Sequence, residues 1–77
     1  MAITVLFFGQ LVEMTGERQL TIPEAKGTGE LRELLWTRFP ALRDVVVNMA
    51  VDTVIINEDV ALAPGSTVAM LPPFSGG

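Results

Sequence analysis

Ile3-Thr4-Val5-Leu6-Phe7-Phe8, closed by Gly9, is the stretch on which the fold turns. β-Branched and aromatic side chains dominate it, and a glycine ends it, so it reads as a strand over Ile3 to Phe8. Alternation sends Ile3, Val5 and Phe7 to one face and Thr4, Leu6 and Phe8 to the other. A strand of an isolated small sheet would place polar residues on its second face. Here that face carries Leu6 and Phe8, which suits a strand at the sheet centre or one facing a partner. The only comparably apolar stretch is Thr67 to Leu71, introduced by the turn Pro64-Gly65-Ser66. The two strands are therefore expected side by side and parallel, joined by the helix-containing crossover that lies between them.

Between these strands the pattern changes period. Gln10 to Thr15 predicts a short helix, with Leu11 and Met14 on one side and Gly16 as its stop. Glu17 to Ile22 alternates as a half-solvated strand and ends at Pro23. Thr28 is placed to cap the main helix, with Glu30 in its first turn. Leu31, Leu34, Leu35 and Phe39 form its apolar stripe, Trp36 packs beside them, and Pro40 stops it. Leu42-Arg43-Asp44 reads as a turn. Val45-Val46-Val47, Met49-Ala50-Val51 and Val54-Ile55-Ile56 all resemble strand; two strands joined by a tight turn at Asp52-Thr53 are expected, followed by a connector from Glu58 to Ala63. Met14, Met49 and Met70 read as core filler. The resulting expectation is an α+β chain: a mixed sheet of about five strands with one main helix packed across it.

A chain of 77 residues is one domain, stable by only about 4–12 kcal/mol at the usual stability per residue. It contains no Cys and no His, so disulfides, Cys/His zinc sites, thiolate nucleophiles and imidazole bases are all excluded. Glu13, Glu17, Glu24, Glu58 and Asp59 are too dispersed to suggest a metal site. The net charge is −4 and the five basic residues form no run, which argues against nucleic acid and for a basic protein surface, with Glu58-Asp59 available to it. No apolar run exceeds four residues, far below the ~20 of a membrane helix. With no basic residue ahead of its first apolar stretch, the start does not read as a signal peptide, and a cytoplasmic location is expected.

The last residues carry the chemical signal. Pro72-Pro73-Phe74-Ser75-Gly76-Gly77 cannot continue a ladder, so a domain over residues 1–71 is expected to bear an extended tail over 72–77, reaching up to roughly 20 Å. Glycine has no Cβ, so Gly76-Gly77 would pass through a narrow channel and present the terminal carboxylate to another protein's active site. That carboxylate, with a reference pKa of ~3.3–3.7, is an anion and a poor electrophile until activated, for example as an acyl-adenylate. Neither Cys nor His is then needed in this chain, because the reacting atom is the chain end.

Val5-Leu6-Phe7-Phe8-Gly9, Gly16 after a short helix, Val68-Ala69-Met70-Leu71-Pro72-Pro73 and Gly76-Gly77 together resemble the small subunits of molybdopterin synthase, in the MoaD/ThiS ubiquitin-like sulfur-carrier family. The resemblance spans essentially the whole chain and implies a β-grasp fold. It implies that Gly77 carries an acyl-adenylate and then a thiocarboxylate, with Gly76, Ser75 and Phe74 as the channel-entering tail. Leu6, Phe8, Ile55 and Leu71 match the family's partner face. The implied partners are the large synthase subunit, in a heterotetramer, a ubiquitin-activating-like adenylyltransferase and a sulfur-donor protein. No cofactor would be bound; ATP would be used by the activating enzyme. The chain would be a non-catalytic sulfur donor to the dithiolene of molybdopterin, with catalysis in the large subunit. Val51-Asp52 departs from the Val-Asn often found there. Alternatives are a carrier for thiazole or cysteine formation, a ubiquitin-like protein modifier, or an interaction module.

Overall fold

In a computed structural model, which describes residues 2–72, β1 runs over Ile3–Phe7 with its two faces as the alternation requires. Ile3, Val5 and Phe7 are buried, while Thr4 and Leu6 are half-buried. The elements that follow are α1 (Gln10–Thr15), β2 (Gln19–Ile22), α2 (Thr28–Arg38), a 3-10 helix (Pro40–Asp44), β3 (Asn48–Val51), β4 (Val54–Ile56) and β5 (Thr67–Leu71). Strand order in the sheet is β2-β1-β5-β3-β4. The β1–β5 pair is parallel, with Val5 opposite Val68 and Phe7 opposite Met70, and every other pairing is antiparallel. This is the β-grasp arrangement that the family resemblance implies, and it contains the parallel pairing of first and last strands expected from their apolar patterns.

Each boundary has a local cause. Gly16 stops α1 in the left-handed conformation at φ 76° and donates its N–H to the Val12 carbonyl at 2.8 Å. Pro40 prevents α2 from continuing and opens the 3-10 helix instead, which replaces the turn expected at Leu42-Arg43-Asp44. The β3–β4 hairpin turns at Asp52 and Thr53, both at positive φ (47° and 75°), as a type I′ turn requires. Asp52 also clips this turn to β5: its N–H donates to the Thr67 carbonyl at 2.8 Å and its Oδ1 accepts the Thr67 N–H at 2.9 Å.

The core lies between the sheet and α2, built from Ile3, Val5, Phe7, Leu31, Leu35, Val68 and Met70, and closed at its sides by Leu11, Leu20 and Leu42. Phe39 meets Phe7 edge-on, with ring centroids 6.0 Å apart. Met49 and Met70 are buried in the core and Met14 packs against its rim, in keeping with the expectation.

Three further sequence readings need correction. Leu34 is 41% exposed, so the buried stripe of α2 is narrower than i, i+3, i+4 suggests and is carried by Thr28, Leu31 and Leu35. Thr28 does not cap its own helix; Gly27 occupies that position, and no side chain caps it. Val45 to Val47 forms no strand, because the chain emerges from the 3-10 helix there and joins the ladder only at Asn48.

Candidate functional site: the open sheet face and the root of the tail

The helix covers one side of the sheet, and the side chains of the other side form a row through the register. Leu6 lies opposite Ala69, Ala69 opposite Ala50, and Ala50 opposite Ile55, a line across β1, β5, β3 and β4. Two alanines in the middle keep the centre of the row low, with larger side chains at its ends. Ala50 is buried yet stands outside the core cluster, as a small residue on the open face should. Ile55 is 62% exposed at the outer end, and Leu71, half-buried, pairs with Asn48 in the neighbouring row.

Phe8 follows β1 at the same end of the sheet as Leu71. It is 45% exposed, and its N–H donates to the Met70 carbonyl at 3.2 Å, the last link between β1 and β5 before the chains part. The structure therefore brings Leu6 and Ile55 into one row, Leu71 into the next, and Phe8 to the end where β5 leaves the sheet. An apolar group of this kind on the uncovered face of a small domain is the usual mark of a protein-binding surface. Val54 and Val46 are more exposed than Phe8, but Val54 pairs with Val51 on the helix side of the sheet and Val46 lies outside the strands, so neither belongs to this row. Val54 lies in edge strand β4, and a run of β-branched residues gave no sign that they would stay uncovered.

Beyond Leu71, Pro72 lies against the turn that joins β1 to α1. Gly9 in that turn has φ 57° and ψ −136°, a combination side chains rarely adopt. The turn is fastened on its α1 side by two backbone bonds, Leu11 N–H to the Phe8 carbonyl and Val12 N–H to the Gly9 carbonyl, each 3.1 Å. Phe74, Ser75, Gly76 and Gly77, where the sequence places the tail chemistry, lie outside the described residues.

Among the described residues no three acidic side chains are grouped to hold a metal, and no buried side-chain polar atom lacks a hydrogen-bond partner. Asp59 of the expected docking pair is engaged within the chain, since its Oδ1 takes Arg32 Nη2 at 2.9 Å. Among the described residues no helix is long and apolar enough to cross a membrane.

Comparison with known proteins accords with this geometry. The ThiS family matches residues 5–77. The molybdopterin synthase sulfur carrier subunit of Caenorhabditis elegans is 34% identical over 82 residues, covering 99% of this chain and 98% of that one. In the solved complex of subunits 1 and 2 of the molybdopterin-converting factor from Helicobacter pylori, the matching chain has a TM-score of 0.77 and 28% identity, with both chains covered completely. The solution structure of small archaeal modifier protein 1 from Methanosarcina acetivorans has a TM-score of 0.84 at 21% identity, covering 99% of this chain and 96% of that one, a likeness of fold.

Proposed function

The chain belongs to the ThiS family, and from that premise we propose that it is the sulfur-carrier subunit of a molybdopterin synthase. The observation that carries the proposal is the full-length 34% identity to a carrier of that name. The partnered Helicobacter pylori structure supports a large subunit as partner. Together they favour this reading over a carrier for thiazole or cysteine formation, a protein modifier or an interaction module.

In the proposed cycle the Gly77 carboxylate attacks the α-phosphorus of ATP on a ubiquitin-activating-like adenylyltransferase, and pyrophosphate leaves. A sulfur-donor protein supplies sulfide sulfur, which attacks the acyl carbon and displaces AMP, so that one carboxyl oxygen becomes sulfur. The large subunit then receives the thiocarboxylate, whose sulfur attacks the carbon that becomes part of the dithiolene and displaces the oxygen substituent it carries, leaving that carbon joined to Gly77 as an acyl thioester. Hydrolysis of the acyl intermediate restores the carboxylate. This chain contributes an accessible terminus and a docking face: Leu6, Phe8, Ile55 and Leu71 would be desolvated against the large subunit, while Phe74, Ser75 and Gly76 would line up the terminus in its channel. Net charge −4 would speed encounter with a basic partner. Assembly as a heterotetramer in the cytoplasm completes the proposal.

Intact mass after incubation with ATP, activating enzyme and sulfur donor tests the chemistry. Exchange of one oxygen for one sulfur, localised to Gly77 by fragmentation, is expected. An unchanged mass with an enzyme active on another carrier overturns the proposal.

A further inference from the structure

A β-carbon built on Gly9 would lie 3.0 Å from Pro72 Cγ, 3.7 Å from its Cδ and 3.9 Å from its Cβ. Three atoms of one pyrrolidine ring thus surround the point where a side chain would begin. That ring is closed onto its own backbone nitrogen, so its one local response is a change of pucker at Cγ; any larger displacement needs movement of the main chain at residue 72. Neither can Gly9 readily yield, because the turn is tied to β5 by the Phe8 N–H to Met70 carbonyl bond and to α1 by the bonds of Leu11 and Val12.

We propose that Gly9 is a positioning residue for the carrier chemistry: its bare α-carbon is the seat on which Pro72 rests, and the seat sets the direction in which the chain leaves the sheet. The inference rests on the carrier reading above and deepens it, because Pro72 is the fifth residue before the reacting carboxyl group of Gly77. A fixed departure at Pro72 narrows the volume the terminus must search to enter an active site, and small misplacements of reacting groups are costly to rate.

Gly16 supplies the control. It also has a positive φ, 76°, but a β-carbon there would meet nothing within 4 Å. A side chain strains the backbone at both positions, more at Gly9, whose ψ of −136° lies outside the left-handed region that Gly16 occupies, and only Gly9→Ala also presses on Pro72. The experiment compares wild type, Gly9→Ala, Gly16→Ala, Pro72→Ala and the Gly9→Ala/Pro72→Ala pair in the full chain. Pyrophosphate exchange into ATP with the activating enzyme gives kcat and KM, and nuclear Overhauser contacts between Gly9 Hα and the Pro72 ring report the seat directly. Gly9→Ala is expected to lower kcat about tenfold or more with little change in KM, because the substitution moves the root of the tail and leaves the rest of the surface as it was. Gly16→Ala should stay within about twofold of wild type, Pro72→Ala should itself lower kcat because it takes away the ring that rests on the seat, and the double variant should lose no more than the worse single variant, since both substitutions remove the same contact.

Gly9→Ala no slower than Gly16→Ala, Pro72→Ala at wild-type kcat, or a double variant whose loss is the product of the two single losses overturns the seat. Absence of the Overhauser contact in wild type overturns it too. Failure of the carrier reading looks different: wild type itself then supports no exchange with an enzyme active on another carrier.

Discussion

Thr28 Oγ1 accepts the Val60 N–H at 3.0 Å, a bond between residues 32 apart that ties the first turn of α2 to the long connector before β5. The tie is reinforced by Thr28 N–H donating to the Val60 carbonyl at 2.9 Å, and Thr28 itself is completely buried. Thr28→Val keeps the shape and removes the acceptor, leaving the Val60 amide unpaired, at a cost of about 1–3 kcal/mol. In a domain of this size each kcal/mol lowers Tm by about 4–8 °C. Thermal unfolding should show that loss for Thr28→Val and little of it for Thr28→Ser.

Thr53 holds φ 75° in the β3–β4 turn, where a β-branched residue is strained and glycine is not. Thr53→Gly is expected to raise stability by about 1 kcal/mol, the lower end of the cost of a left-handed non-glycine residue. A denaturant midpoint that falls would show that the turn type differs from that described.

Leu34 and Leu35 are neighbours in sequence and opposites in packing: one is 41% exposed, the other buried in the core. Leu35→Ala should cost about 2–5 kcal/mol, whereas Leu34→Ala should cost no more than about 1 kcal/mol. Equal losses in urea titrations would contradict the orientation of α2.

The open face is tested by charge. Ile55→Asp and Phe8→Glu place a carboxylate where the proposed interface would desolvate it, so each should weaken large-subunit binding about tenfold or more. Tm should move little, because neither side chain is in the core. Calorimetric titration reads the binding, and wild-type affinity in both variants would remove this face from the interface.

What could be read in advance follows from the range of the forces involved. β1, the stop at Gly16, the break at Pro40 and the turn at Asp52-Thr53 depend on backbone preferences within a few residues, and each was visible as residue type and spacing. The parallel β1–β5 pair was visible too, because two apolar strands compete for the centre of one sheet. Thr28 was read as a cap, since a local pattern cannot show an acceptor for an amide 32 residues away. Leu34 was assigned to the core because helical spacing gives the direction of a stripe and not its width, which the sheet beneath decides. For the site, Leu6, Phe8, Ile55 and Leu71 were named from the family resemblance, while their gathering through Ala69 and Ala50 needed the register. The Gly9–Pro72 contact needed coordinates altogether, because it joins residues at nearly opposite ends of the chain.

Placing β5 between β1 and β3 also governs when the protein can exist. A ribosome must make the sheet's middle strand last, so a chain cut short before residue 67 has its remaining strands split into β2–β1 and β3–β4 pairs with no ladder between them. Two-stranded ribbons are marginal in water, and such fragments should be cleared by proteolysis rather than accumulate. Truncation before residue 67 therefore yields no folded sheet that could compete with the complete chain for a binding partner.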